Sequence, residues 1–310
     1  MLSGLFKDAS KGAKLIVIAF VILISLVIFS AIGILLAIPL FHLDIANLES
    51  FMDATNPENA AFMKYFQSIT SIGLFVVPPL LIAVLLSNNP VQYLSLNGKS
   101  EWLTYIITVT VVVFAMPFIN YIGQWNEQLS LPESLSGLEE LMKESEAKAQ
   151  KITELFLQAD TLGVLMVNIF VIAFLPAVGE ELLFRGVFQK WFTALTHNKH
   201  LGVWLAAILF SAVHFQFYGF FPRILLGALF GYLLLWTGNI WLSVTGHFFN
   251  NAFAVIAYYM MNKSLIASNP DEIGTGETGL YQALLSLLFV GILLFVIYKS
   301  EKDNARRYFI

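Results

Sequence analysis

The 310-residue chain contains no cysteine and few charged residues, which make up 12% of the sequence. The absence of cysteine excludes disulfide bonds, thiolate metal sites and cysteine nucleophiles. Soluble globular domains carry about 25% charged residues, so this composition excludes a soluble domain and also a nucleic-acid binder, which needs a basic surface. A hydrophobic content of 58% and long uncharged runs indicate instead a polytopic membrane protein. The net charge of −4 is mild and indicates no partner.

Long uncharged runs predict where the chain crosses the membrane. A spanning helix needs roughly 20 mostly apolar residues, and eight segments meet or approach that length, the sixth being short. We therefore expect an all-α polytopic transmembrane bundle of about eight helices. The predicted spans are 15–40, 68–86, 102–122, 162 to about 188, 201–217, 224–236, 240–260 and 280–298.

The sequence has no internal repeat, no low-complexity tract and no linker that would separate two domains. We therefore divide the chain by its hydrophobic pattern. The parts are an N-terminal three-span region (1–161), a central core (162–260) and a C-terminal part with the last span and a basic tail (261–310). Lys and Arg are more frequent on the side that holds the N-terminus, and these residues favour the cytoplasm. We expect a multi-pass protein of the cell (inner) membrane with both termini cytoplasmic.

An acidic loop at about 123–160 is the largest segment outside the predicted spans. Within it, Ser136 and Glu139 have the spacing of a capping box, which predicts a helix that starts at about Leu138. We interpret this helix as a solvated connection, with a lid or a substrate-docking element as the alternative.

Charged side chains at membrane depth are costly and are functional candidates by default. The acids inside the predicted spans are Glu180 and Glu181, and Arg185 follows. Glu181 and Arg185 are four residues apart, so on a helix they share a face and form an ion pair, which we interpret as a buried brace. Glu180 points about 100° away and lacks that partner, which makes it the strongest catalytic candidate.

Three more polar residues are predicted inside spans, namely His214 in the fifth and His247 and Asn251 on one face of the seventh. Each alone is explained as an interhelical hydrogen bonder. At about 1.5 Å of rise per residue, however, all three fall at the depth of Glu180. We therefore expect the four to form one site, in the cytoplasmic half of the membrane.

The four side chains suit two kinds of chemistry. A carboxylate in a partly desolvated cavity is a suitable general base, so Glu180 with a histidine beside it can activate water for attack on a carbonyl. A histidine and an asparagine then supply donors for the oxyanion. Alternatively, Glu180, His214 and His247 can ligate a metal with an open water position. The residues alone leave both possibilities open.

Three motifs in order resemble the signature of the CAAX-protease and bacteriocin-processing family, abbreviated CPBP or ABI. The resemblance covers about 162–259 and implies an intramembrane endopeptidase, similar to the type II CAAX prenyl endopeptidases, that acts on a lipidated or membrane-embedded peptide. The motifs are Glu180-Glu181-x-x-x-Arg185, Phe210-x-x-x-His214 and His247-x-x-x-Asn251.

By position, the resemblance implies Glu180 as the water-activating base beside His214, with His247 and Asn251 lining the oxyanion site and the ion pair supporting the base. We favour a reaction without a cofactor, because Asn251 is a poor zinc ligand and a good oxyanion donor; zinc is the alternative. The expected partners are the lipid bilayer and a lipidated or hydrophobic peptide substrate, with no nucleic acid. The competing hypotheses are a non-enzymatic immunity or scaffold protein and a transporter, which usually shows repeat symmetry.

Overall fold

The computed structural model describes residues 3–266 and 270–305. Within them, helices and loops make up the fold, and short helical turns join the main helices at Ile45–Asn47, Leu48–Phe51, Pro90–Tyr93, Glu133–Leu135 and Pro270–Glu272. The main helices are α1 (Lys11–Phe41), α2 (Pro57–Leu86), α3 (Trp102–Glu127), α4 (Ser136–Leu157), α5 (Leu162–Thr196), α6 (Lys199–Ala212), α7 (Phe220–Thr237), α8 (Ile240–Asn262) and α9 (Gly279–Ala305).

Seven of the described helices are long and apolar enough to cross a membrane, and α6 is a shorter apolar helix beside them. The predicted all-α bundle of about eight helices is therefore confirmed. The sixth span is longer than the predicted segment 224–236, since α7 begins earlier, at Phe220, and has 18 residues. The fifth span was predicted to reach residue 217, but α6 ends at Ala212. It ends there because Phe215 adopts a left-handed conformation (φ 54°), which hydropathy does not reveal.

Two prolines inside the spans follow wider helical turns, whereas Pro39 and Pro117 lie within regular α-helix. The π-helical segment Ile72–Val76 precedes Pro78, and Ile169–Phe174 precedes Pro176. Proline lacks an N–H and collides with the carbonyl four residues earlier, and an inserted π-turn relieves that conflict. As a result α5 continues through the membrane, with its acidic pair near the middle.

The helices differ in how much of their length is buried, and this difference identifies the centre of the bundle. In the most apolar 18-residue stretch of α7, half of the residues are buried, whereas the corresponding share for α1 is 11%. One buried cluster joins α1, α2, α5 and α6 through residues such as Ile82, Leu183 and Phe210. A second cluster joins α3, α7, α8 and α9 through residues such as Phe230 and Ile297. The polar residues of the central core lie between these clusters, while α1 presents exposed apolar side chains suited to lipid.

Helix α4 begins differently from the prediction. It starts at Ser136 without a side-chain cap, so the predicted capping box is not formed. Glu139 instead accepts a hydrogen bond from the backbone N–H of Leu131 (2.9 Å) and pairs with Lys143 (2.7 Å). The contact with Lys143, followed by that with Leu131, lowers the pKa of Glu139 below its usual value.

The C-terminal end of α4 is packed rather than solvated. Leu155 and Phe156 are buried in a cluster with Phe62 and Met63 of α2. The interpretation of this helix as a solvated connection is therefore wrong for its last turns. The sequence did not reveal this because the partners of those two side chains lie far away in the chain.

Candidate active site

A cavity of about 380 Å³ lies between α4, α5, α7, α8 and the turn that follows α6, within the range of about 300–1,000 Å³ that is common for ligand sites. Four of the six predicted site residues line it, namely Glu180, His214, His247 and Asn251. The structure thus brings together side chains from three separate segments of the chain. The other two predicted residues, Glu181 and Arg185, are buried beside it.

The predicted ion pair is present and fully enclosed. Arg185 Nη1 lies 2.9 Å from Glu181 Oε1, with side-chain exposures of 1% and 0%, although the N–H is not aligned for a hydrogen bond. Arg185 Nη2 donates to the carbonyl of Gly227 (3.0 Å). The guanidinium also lies over the ring of Phe210, 4.8 Å from its centroid. Such contacts hold the pair in place and join α5 to α7.

The ring of His247 has a defined orientation. Its Nδ1 donates to Glu181 Oε1 (2.8 Å), and the ring stacks on Phe230 at a centroid distance of 5.2 Å. Its Nε2 lies 3.9 Å from Glu180 Oε2. His247 therefore bridges the two neighbouring carboxylates and uses a different nitrogen for each.

Glu180 differs from Glu181 in its surroundings. Its side chain remains 13% exposed and its ion-pair contact within the described residues is the distant one to His247. The preceding Gly179 allows α5 to approach α2, because a Cβ there would lie 2.7 Å from the Cβ of Phe75. Glu180 lies at the wall of the cavity, where a water molecule or a substrate can contact its carboxylate.

His214 lies in the turn after α6 rather than inside the predicted fifth span. Its Nδ1 is 2.7 Å from the carbonyl oxygen of Phe210. A carbonyl can only accept, so Nδ1 carries a proton and, in the neutral ring, Nε2 is an acceptor. Asn126 secures the same loop by donating to the carbonyl of Phe217 and accepting from the N–H of Phe221, both at 3.0 Å.

Asn251 is oriented by two neighbours. Its Nδ2 donates to the carbonyl of Ile172 (3.1 Å), and its Oδ1 accepts from Asn250 (3.1 Å). An amide nitrogen carries two protons, so one N–H remains for a ligand in the cavity. This arrangement supplies a donor whose direction is set by the protein.

The cavity extends to the α4 end of the bundle. Thr153 and Leu157 of α4 are among its lining residues. The opposite end is marked by the start of α1, where Trp191 near the end of α5 donates to the carbonyl of Lys11 (3.0 Å). The cavity thus reaches α4, at the end of the bundle opposite the start of α1. The prediction that the site lies in the cytoplasmic half of the membrane stays a prediction.

Two residues of this region were missed at the sequence level. Arg223 was assigned to a loop before a span at 224–236, but it belongs to α7 and lines the cavity. Asn126, which secures the His214 loop, fell in the predicted acidic loop at about 123–160, but it belongs to α3. For Arg223, its place directly before a predicted span was a weak signal in the sequence. For Asn126 the sequence contained no signal, since its partners are about ninety residues away.

A second cavity, of about 370 Å³, adjoins the first. The two share Leu157, Leu226, Asn250 and Ala254. From there the second cavity continues between α3 and α8, where its lining is mostly apolar and includes Ala257. The polar site thus opens into apolar space inside the bundle.

The zinc alternative stays a prediction. Within residues 3–266 and 270–305, no group of three or more His, Cys, Asp and Glu side chains is placed to hold a metal ion. His247 Nδ1 is engaged with Glu181, which leaves Nε2, 3.9 Å from Glu180 Oε2, as the nitrogen that would ligate a metal.

Comparison with known proteins shows what the central segment is similar to. Residues 162–253 match the family model described as type II CAAX prenyl endopeptidase Rce1-like, and this range contains all six predicted site residues. Uncharacterized protein YpbD of Bacillus subtilis is 34% identical over 89 residues, which are 27% of this chain and 42% of that relative. The matched stretch is thus less than half of the relative. No solved structure matches significantly. The resemblance predicted from the three motifs is confirmed.

Proposed function

We propose that this protein is an intramembrane endopeptidase that hydrolyses a peptide bond of a lipidated or membrane-embedded substrate. The observation that carries the proposal is the convergence of Glu180, His214, His247 and Asn251 on one cavity inside an apolar bundle. The match of residues 162–253 to an endopeptidase family supports the reaction class.

In the proposed mechanism, Glu180 takes a proton from a water molecule that also donates a hydrogen bond to His214 Nε2. The water oxygen then bonds to the scissile carbonyl carbon. The resulting oxyanion accepts a hydrogen bond from the unused N–H of Asn251. When the tetrahedral intermediate collapses, the C–N bond breaks and Glu180 passes its proton to the leaving amine.

Glu181 and Arg185 act through His247 in this proposal. Because the Nδ1 proton of His247 is donated to Glu181, His247 donates to the oxyanion through Nε2 only as an imidazolium ion. Arg185 compensates the charge of Glu181, so the pair orients the histidine without touching the substrate.

The adjoining apolar cavity supports a hydrophobic substrate. It shares lining residues with the polar site, so a peptide whose scissile bond lies beside Glu180 can place a lipid or an apolar side chain between α3 and α8. We propose the cell membrane as the location, with both termini in the cytoplasm. In that orientation α4, which contributes Thr153 and Leu157 to the cavity wall, lies on the external side.

A chelator is expected to leave cleavage intact. We would assay the purified protein in detergent with a quenched farnesylated CAAX peptide and an unlipidated apolar peptide, each with and without a strong chelator. Equal initial rates support a metal-free carboxylate mechanism. Loss of cleavage with the chelator and recovery with zinc would contradict it, and failure to cleave either peptide would contradict the endopeptidase proposal for these substrates.

Filling the apolar cavity is expected to discriminate against lipidated substrate. Ala257→Phe introduces a ring into the cavity wall and should lower kcat/KM for the farnesylated peptide by roughly tenfold, since small changes of pocket volume alter specificity on that scale. The unlipidated peptide should be affected less. Ile256→Phe is the matched control, because Ile256 is an adjacent, exposed position on α8. Equal effects of the two variants would refute this role of the cavity.

A further inference from the structure

Arg223 is the one Lys or Arg among the described lining residues of the polar cavity. It lies in the first turn of α7, in the same cavity as Glu180 and Asn251. A buried or half-buried guanidinium usually has an acidic partner, because an uncompensated charge in a low-dielectric region is costly. The contacts of this side chain therefore indicate what it binds.

The contacts of Arg223 hold it in position without neutralising it. Nη1 donates to the side-chain oxygen of Gln216 (3.0 Å), and Nη2 donates to the main-chain carbonyl of the same residue. Both acceptors are uncharged. Nε is buried and has no hydrogen-bond partner. Within the part of the chain that the structure describes, no carboxylate lies within ion-pair distance of Arg223.

The nearest acidic helix does not complete the site. Glu146 of α4 directs Oε2 to the backbone N–H of Tyr218 (3.4 Å), and it attracts Arg223 without contacting it. Ser145 donates to the carbonyl of Phe215 (3.1 Å). These bonds attach α4 to the loop beside Arg223, which lines the cavity.

A carboxylate is the ligand that this arrangement suits best. The planar guanidinium binds carboxylates through its N–H groups. Gln216 accepts one N–H from each of Nη1 and Nη2 and so fixes the plane of the guanidinium, and a second N–H on each nitrogen remains for a ligand. Every unmodified peptide carries one carboxylate at its C-terminus. A peptide whose scissile carbonyl lies beside Glu180 reaches Arg223 with a C-terminus only a few residues further on, because both groups line one cavity of about 380 Å³.

We infer that Arg223 binds the C-terminal carboxylate of the substrate and so restricts cleavage to a bond near the end of the peptide. The inference rests on the proposed endopeptidase function and adds a specificity-determining residue to it. It also explains why an arginine is retained inside an apolar helix end with only neutral acceptors around it.

The test compares two peptides that differ only in a C-terminal carboxylate or carboxamide. The wild-type protein should cleave the carboxylate form with a kcat/KM at least tenfold higher. Arg223→Gln should lower kcat/KM for the carboxylate form roughly 10- to 100-fold, mainly through KM, as expected for a lost charged hydrogen bond, and should leave the carboxamide form nearly unchanged. Arg223→Lys keeps the charge without the fork and should give an intermediate preference.

Lys148→Gln is the matched control, because it removes the same charge from an exposed position on α4. Thermal midpoints in detergent establish that each variant is folded. If the wild type cleaves both forms equally, or if Arg223→Gln slows both forms by the same factor, Arg223 is structural and the inference is wrong. If the wild type cleaves neither form, the proposed function itself fails. The wild-type comparison needs no variant and therefore holds even if Arg223→Gln does not fold.

Discussion

Replacing Glu180 with glutamine is expected to lower kcat for peptide cleavage by roughly 10²- to 10⁴-fold, the usual contribution of a general base. Glutamine has nearly the same size and can still accept a hydrogen bond, but it cannot take a proton from water. Glu180 contacts the cavity and makes no short ion pair, so the variant should fold with an unchanged thermal midpoint. Initial rates under saturating substrate measure the effect.

Glu58→Gln provides the matched control, since it makes the same change at an exposed position in the first turn of α2. A Glu180→Gln variant with more than about a tenth of wild-type activity would show that another group is the base. In that case we expect His247 to act as the base in its neutral form, because its Nδ1 proton is donated to Glu181 and its Nε2, 3.9 Å from Glu180, is then an acceptor. Residual activity should then disappear in the double variant with His247→Gln.

The same variant separates hydrolysis from binding. A non-enzymatic immunity or scaffold protein would need the cavity only for its shape, and the isosteric glutamine preserves that shape. Protection of cells by the Glu180→Gln variant at the wild-type level would therefore favour the binding hypothesis. Loss of both cleavage and protection would favour the endopeptidase.

Replacing Arg185 with methionine is expected to reduce the free energy of unfolding by about 3–5 kcal/mol, the typical result of removing one partner of a buried ion pair. Methionine fills much of the volume, but Glu181 then remains fully buried without its cation. The bond from Arg185 to Gly227 is lost as well. Denaturant titration in micelles, monitored by tryptophan fluorescence, measures the change.

The double variant Glu181→Gln/Arg185→Met tests whether the unpaired charge causes this loss of stability. It removes both charges, so most of the lost stability should return, because proteins in which a buried ion pair is replaced by neutral residues are often nearly as stable as the original. Cleavage should remain impaired, since His247 loses the charged acceptor at Nδ1. A double variant as unstable as Arg185→Met alone would show that lost packing, rather than an unpaired charge, is the main effect.

Several features of this protein follow from its sequence. The scarcity of charge and the length of the apolar runs determine a membrane bundle, because an apolar segment of about 20 residues satisfies all of its backbone groups in lipid by forming a helix. The spacing of Glu181 and Arg185 determines their ion pair, and one residue of offset places Glu180 on another face. These features depend on local sequence spacing, because residues four apart lie on the same face of a helix.

Other features were decided by the tertiary structure alone. His247 and Glu181 are 66 residues apart in the chain, and the packing of α5 on α8 determines which nitrogen each carboxylate meets. Arg223 was assigned to a loop because hydropathy locates the end of a span poorly, and only the bundle shows that it lines the cavity. The packed end of α4 was missed because the partners of Leu155 and Phe156 lie far away in the chain. A contact between distant segments depends on how whole helices pack, and no local pattern specifies that packing.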